Sequence, residues 1–364
     1  MNKLDAMPPR YPVNATLELT LRCNLKCKMC MFRHSNCENA RLAAEELTAS
    51  QWADMARQLW EAGALNLLIT GGEPMLRKDF CEVYSSIYRL GFLVTLYTNA
   101  TLVTEQVLQT LRKYPPHRIG ITLYGASNET YGALCGCEDG FDRALAGARK
   151  LATLPSVLEF RTTLVQDNYR DMDAVTQLVE KEFGCQVTHA NTVFQSVRGG
   201  CMPVADCRLS PEQTVDMTLS RVAGRVRELL PPERREQVQL RLAEPQPECT
   251  AGDPQYTLLG CSGGMNQVTV TWDGKLLGCQ MLGCFSTDAV KLGFAKAWEE
   301  WPYTVRLPQV NSVCLDCPHV SLCQVCPGVR MAECGNLTDR PEYICRITRQ
   351  FVSRKGEDLY ETFL

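Results

Sequence analysis

Short runs of alternating apolar and polar residues give way to stretches with a helical period, and the exchange repeats along the first half of the chain. Residues 15–21 (ATLELTL) alternate and stop just before Cys23, which predicts a strand. Residues 48–63 read as a helix, with Thr48 and Gln51 in capping-box spacing. Residues 64–70 (ALNLLIT) are an apolar run entering Gly71-Gly72, the pattern of a buried strand. Further helices are predicted over 79–90, closed by Gly91, and over 104–113, 140–153 and 171–183, the last stopped by Gly184. Strands are predicted over 92–98, 118–124, 158–165 and 185–194. Six strand–helix units in succession imply an α/β fold with a parallel sheet and helices outside it. Right-handed crossovers then leave an open doubly wound sheet or a barrel.

The pattern changes after residue 195. Residues 196–260 contain one helix over 211–230, with Ser210 as N-cap and Pro211 in its first turn, and then a Pro/Glu-rich stretch over 244–248. This segment reads as a bridge between domains. From residue 261 the chain is short in its runs, irregular and dense in cysteine, with a closing helix over 340–354.

Composition narrows the chemistry. A chain of 364 residues allows two or three domains. No charged head followed by an apolar segment opens the chain, and no run approaches the ~18 apolar residues of a membrane span. The expectation is a cytoplasmic protein with reduced thiols, where 20 cysteines point to metal or catalysis. Net charge is −3 with both signs scattered, so the basic face of a nucleic-acid binder is not predicted. With four histidines a His-based hydrolytic site is disfavoured, although His189 in the sixth strand is placed to line a pocket.

Cys23, Cys27 and Cys30 form a C-x3-C-x2-C motif at the end of the first strand. Zinc and ordinary iron–sulfur sites take four protein ligands, and soft thiolates favour both. Only three thiols are local, so a [4Fe–4S] cube here keeps one iron for another ligand. Barrels also carry their chemistry at the C-terminal ends of the strands. The bland alternatives are a structural zinc or a Cys-rich turn.

This motif in this position resembles the radical S-adenosylmethionine (SAM) superfamily, over about residues 14–195. The resemblance implies a partial (β/α)6 TIM-like barrel in which the three cysteines hold a [4Fe–4S] cluster whose fourth iron chelates SAM. Gly71-Gly72-Glu73-Pro74 after the second strand looks like the family's motif at the SAM amino group. Glycines let a backbone approach a ligand, and Glu73 can accept hydrogen bonds from an ammonium. By the same resemblance Thr98, Asn99, Thr122 and Arg161 face the ribose and carboxylate of SAM. The family often has an aromatic residue before the third cysteine, near the adenine; here it is Met29, with Phe32 as an alternative.

A second constellation follows. Cys261-x12-Gly274-x4-Cys279 precedes Cys314-x2-Cys317-x5-Cys323-x2-Cys326 and then Cys345. Two CxxC pairs alone also fit one zinc ribbon. The whole arrangement resembles the SPASM extension that follows many radical SAM barrels. That resemblance implies an outer auxiliary [4Fe–4S] cluster on Cys314, Cys317, Cys323 and Cys345, and an inner one on Cys261, Cys279 and Cys326. The family spacing at 323–326 is one residue longer. The fourth inner ligand is Cys249, Cys284 or an open iron. Ten cysteines stay unassigned, among them Cys135 and Cys137, read as a loop pair on the active face.

The domains expected are a barrel (14–195), a bridge (196–260), a SPASM domain (261–345) and a tail or helix (346–364). The resemblance implies reductive cleavage of SAM to a 5′-deoxyadenosyl radical that abstracts hydrogen from a substrate. SPASM relatives mostly act on peptides or proteins, forming thioether or carbon–carbon crosslinks or oxidising sulfatases. The expected partners are therefore a ribosomally made precursor peptide and an electron donor such as flavodoxin or ferredoxin. With about 14 residues before the first strand, either a separate protein presents the peptide or the barrel mouth and bridge bind it. Alternatives are a sulfatase-maturase-like enzyme, a small-molecule radical dehydrogenase, a ferredoxin-like electron carrier and a zinc interaction module.

Overall fold

The computed structural model describes residues 9–32, 36–198, 204–229, 231, 234, 259–307, 314, 316–323 and 325–354. The barrel units run β1 (Asn14–Glu18), α1 (Asn36–Glu45), α2 (Ala49–Glu61), β2 (Asn66–Thr70), α3 (Phe80–Tyr88), β3 (Leu93–Thr98), α4 (Glu105–Lys113) and β4 (Arg118–Thr122). They continue with α5 (Asn128–Cys135), α6 (Gly140–Leu151), β5 (Val157–Thr163), α7 (Met172–Phe183) and β6 (Val187–Ala190). Then come α8 (Pro211–Leu229), β7 (Gln267–Val270), β8 (Lys275–Leu277), β9 (Ser286–Asp288), α9 (Ala289–Leu292), α10 (Phe294–Thr304), α11 (Pro327–Cys334) and α12 (Glu342–Ser353).

The six predicted strands are all present and pair in parallel from β1 to β6. The predicted capping box closes the start of α2, whose Trp52, Met55, Ala56 and Leu59 recur at helical spacing and are buried. Along the strands one set of side chains (Leu17, Ile69, Leu96, Ile121, Phe160) is buried against the helices. Each such side chain contributes roughly 1.5–3 kcal/mol by burial. The alternate set, including Thr16, Thr70, Tyr97, Thr122 and Thr163, is mostly polar and only partly buried. A parallel sheet covered on both faces would be apolar on both. The polar face here belongs to the bore of a partial barrel.

The C-terminal region departs from its irregular reading. β7 pairs in parallel with β1, and β8 and β9 add antiparallel strands, giving one nine-stranded sheet in the order β6-β5-β4-β3-β2-β1-β7-β8-β9. These strands are only three or four residues long, too short for alternation to mark them. α8 packs on α11 and α12 through Val215, Val329, Ile344 and Ile347. No helix of the described residues is long and apolar enough to cross a membrane.

Candidate active site

The segment carrying Cys23 is held on both sides by backbone. The β1–β2 ladder runs past the strand ends: Leu19 N–H donates to Thr70 O (2.9 Å), Gly72 N–H to Thr20 O (2.7 Å) and Glu73 N–H to Arg22 O (2.9 Å). A Cβ at Gly71 would lie 2.2 Å from Thr20 O, and one at Gly72 2.2 Å from Arg22 O. The two glycines are thus required by the approach of one protein segment to another, a reason absent from the sequence argument. On the other side Lys26 N–H and Lys28 N–H donate to the last carbonyls of α5, Cys135 O (2.8 Å) and Leu134 O (3.0 Å). Such carbonyls have no partner within their own helix. Cys135 is therefore not in a loop: it ends α5 and is fully buried, with Gly136 in the left-handed conformation (φ 63°) closing the helix. Cys137, in the turn beyond, directs its thiol to Asp139 Oδ1 at 3.2 Å.

A buried ionic cluster fixes the same segment from below. Glu46 accepts from Arg22 Nε and Nη2 (2.7 and 2.8 Å), from Arg77 Nη1 (3.3 Å) and from the Thr20 hydroxyl. Arg77 also donates to Leu19 O (3.0 Å), Leu47 O (2.9 Å) and Asp79. Glu46 and Arg77 side chains are 6% and 4% exposed, so their charges are compensated almost wholly by one another and by Arg22 and Asp79.

The thiols of Cys23, Cys27 and Cys30 open on one cavity of about 480 Å³. Gly71, Gly72, Thr98, Asn99 and Thr122 line it with them, as do Met29 and Phe32. Backbone N–H groups of Leu25 and Phe32 point at the sulfurs of Cys23 and Cys30 (3.4 Å each), and Asn99 Nδ2 lies 3.7 Å from Cys23 Sγ. Donors aimed at sulfur favour thiolate ligands. Burial pushes the Cys23 thiol up, and the neighbouring Glu73 charge adds to this. Among the described residues no three His, Cys, Asp or Glu side chains converge on one ion-sized point. A cube offers a separate iron to each thiolate, so three thiols around one cavity fit such a group without converging.

Two predicted residues stand apart from that lining. Glu73 is fully buried behind it and accepts from Met75 N–H (3.1 Å), Asn99 N–H (2.7 Å) and the Thr98 hydroxyl (2.9 Å). Its carboxyl holds the ends of β2 and β3 together. Arg161 lies exposed on the bore face of β5, hydrogen-bonded to the Tyr97 hydroxyl with its guanidinium 4.7 Å from the Tyr97 ring centre. His189 pairs in register with buried Thr162, and its Nε2 lies 3.4 Å from the Thr176 hydroxyl of α7, so it turns away from the pocket. Sequence reasoning missed Tyr97, Tyr124, Thr163, Gln195, Gln280 and Met281 on the cavity wall. Strand alternation marks Tyr97 and Thr163; Gln280 is marked only by following Cys279.

Burial pushes the Glu73 carboxyl up to about 7 from an ordinary 4.5, against the three hydrogen bonds that favour its charge. Its protonation therefore favours the fold. That contribution is complete below about pH 4.5 and is lost as pH rises through 7. Glu73→Gln is uncharged throughout and is expected to flatten this part of the stability curve of the metal-free chain. Urea midpoints at about pH 5 and pH 8 measure it. A wild-type-minus-variant difference that is the same at both would remove Glu73 as the titrating group.

The C-terminal cysteines fall into partial groups. Cys261 and Cys279 line a second cavity of about 460 Å³ with Asn14, Thr16 and Asn66. Burial pushes the Cys279 thiol up, and Cys326 and Cys261 add to it as electrostatic neighbours. Cys345 is raised by burial too, with Cys323 beside it. Cys314 and Cys317 are half-buried and Cys284 is exposed, while Cys249 lies outside the described residues.

Comparison with known proteins places this geometry. Residues 17–179 match the model of the radical SAM superfamily. The chain is 24% identical over 340 residues to the AdoMet-dependent heme synthase of Methanosarcina barkeri, covering 90% of this chain and 94% of that one. Among solved structures it is similar in fold to Streptococcus suis SuiB bound to precursor peptide SuiA (TM-score 0.64, 16% identity, 92% of this chain and 76% of that one). It is similarly related to native anSMEcpe with bound AdoMet and Cp18Cys peptide (TM-score 0.62, 17% identity, 98% and 99%). The chain therefore carries a radical SAM domain over residues 17–179.

Proposed function

We propose that this is a radical SAM enzyme acting oxidatively on a peptide held in the 480 Å³ cavity, with a thioether or carbon–carbon crosslink as the product. The observation that carries the reading is that cavity: it joins Cys23, Cys27 and Cys30 to Gly71, Gly72, Thr98, Asn99 and Thr122 at the C-terminal ends of the strands. Cys23, Cys27 and Cys30 would hold a [4Fe–4S] cluster that, when bound, supplies one-electron cleavage of SAM. Gly72 and Asn99 present backbone and amide groups to the SAM side of the cavity. Glu73 keeps them in register from behind. Thr122 and Arg161 are assigned to the ribose and carboxylate side on position along β4 and β5. Met29, Phe32, Phe194 and Met281 exclude water from the reacting carbon. Cys261, Cys279 and Cys326, and Cys314, Cys317, Cys323 and Cys345, are assigned to two auxiliary clusters.

The peptide reading is supported by two facts. SuiB and anSMEcpe share the fold and were each solved with a peptide. The side chains lining the cavity are thiols, hydroxyls, amides and apolar groups, all uncharged at neutral pH except where thiols ionise. A second reading, a tetrapyrrole substrate, is favoured by the heme synthase relative, which spans 90% of this chain. The carboxylates of such a substrate call for cationic partners; no Lys or Arg is among the described residues lining the cavity, Arg198 is paired with Glu18, and Arg161 is assigned above to SAM.

Anaerobic reconstitution with iron and sulfide, then dithionite and SAM, tests the reading. It is expected to yield 5′-deoxyadenosine and about twelve irons per chain, four for each cube. A chain that makes no 5′-deoxyadenosine overturns the activity. Iron near four overturns the two auxiliary clusters and leaves the barrel site standing.

A further inference from the structure

Gln280 and Met281 line both cavities, the one with the Cys23, Cys27 and Cys30 thiols and the one with Cys261 and Cys279. They form the partition between the two. Behind the partition Gln280 Nε2 donates to Glu18 Oε1 at 2.8 Å. Glu18 ends β1, is fully buried, and is gripped by Arg198, whose Nη1 lies 2.9 Å from Oε1 and whose Nη2 binds Oε2. The Arg198 guanidinium lies 4.9 Å from the Phe32 ring centre and 5.5 Å from that of Trp272, so it is fixed in place.

This arrangement decides which end of the Gln280 amide is free. A carboxylate can only accept hydrogen bonds, and an amide donates only from its NH₂. The NH₂ must therefore turn to Glu18, because the flipped amide would set a carbonyl against a buried anion. The carbonyl oxygen is what remains to offer an occupant of the cavity. Burial pushes the Glu18 carboxyl up, but the Arg198 guanidinium, which stays charged and binds both oxygens, opposes this and holds the group as a carboxylate.

We propose that Gln280 is a specificity-determining residue, and that its fixed carbonyl oxygen receives an N–H or O–H of an uncharged substrate segment, as a peptide backbone provides. The inference rests on the peptide reading above and names the contact that selects the substrate. A carboxylate at this point would bring an acceptor to an acceptor and be rejected, while a backbone amide would be matched. Such a contact acts on discrimination more than on any shared part of binding.

The test uses reconstituted enzyme with SAM and three probes. These are a capped hexapeptide library with neutral side chains, the same library with Asp and Glu side chains added, and coproporphyrin III. Anaerobic equilibrium dialysis with mass-spectrometric readout gives the amount retained per enzyme. Wild type is expected to retain the neutral library in preference to the acidic one. Gln280→Met, of similar length, is expected to retain about tenfold less of the neutral library, the effect of one hydrogen bond. Glu18→Gln, which lets the amide turn, is expected to narrow the neutral-over-acidic preference. SAM binding and the urea midpoint are measured alongside to show that each variant is folded. Equal retention of neutral peptides by wild type and Gln280→Met overturns the role of Gln280 and leaves the peptide reading intact. Equal retention of both libraries by wild type overturns the donor selectivity. Retention of the porphyrin alone, or of no probe, overturns the peptide reading itself.

Discussion

Cys27→Ala is expected to bring 5′-deoxyadenosine formation down to the level without enzyme and to lower iron by about four per chain. Cys27 is 7% exposed and lies in the turn between Cys23 and Cys30, with Cys30 N–H donating to its carbonyl at 3.2 Å. Around it the backbone is committed: Lys26 and Lys28 are tied to α5, and Leu25 and Phe32 point their N–H groups at sulfur. Alanine keeps those contacts and removes only the donor atom. The loss is therefore of a ligand rather than of the fold, and a near-normal urea midpoint should accompany it. Cys81→Ser, in α3 with its sulfur 4.0 Å from Gln106 O, is expected to leave both iron and turnover unchanged. Full SAM cleavage by Cys27→Ala would refute the assignment of the motif.

The second large effect belongs to Glu46→Ala. Removing the carboxylate leaves Arg77, at 4% exposure, paired only with Asp79, and frees Arg22 one residue before Cys23. Deleting one partner of a buried ion pair typically costs about 3–5 kcal/mol. The damage is directional as well: Arg77 bonds to Leu19 O and Leu47 O, so the strand end, the segment after α1 and the loop after β2 loosen together. Faster alkylation of Cys23 in the metal-free chain is the expected companion. Chemical denaturation measures the first effect and timed iodoacetamide labelling the second. A loss below about 1 kcal/mol with unchanged labelling would show that the backbone ladder alone positions the cysteine segment.

The barrel was readable because each of its signals is local. Thr48 with Gln51, Gly184 after α7 and the run into Gly71-Gly72 each report on a handful of adjacent residues. The cysteine spacing is local too, and it marked the three thiols that share the cavity. What could not be read depends on partners far along the chain. β7 pairs with β1 across most of the sequence, with Asn14 opposite Gln267. The Glu18, Arg198 and Gln280 cluster joins three segments that spacing does not relate. α5 was missed because six of its eight positions are polar, small or cysteine and leave little apolar stripe, although Ser127 caps it. Glu73 was expected to meet a ligand; its burial is set by Thr98 and Asn99, whose approach follows from strand register rather than from the motif.

The pairing of β7 with β1 also sets an order in time. β1 leaves the ribosome before both of its partners, yet it is an interior strand of the finished sheet, flanked by β2 and β7. One side of it can be satisfied as soon as residue 70 is made, and the other only after residue 270. During synthesis, at about 5–20 residues per second, β1 therefore carries an unpaired edge for on the order of ten seconds or more. Such an edge is a template for strands of other chains. The nascent barrel is thus most vulnerable to mispairing while the cysteine-rich end is still being translated, and a slow passage through residues 196–260 would lengthen that interval.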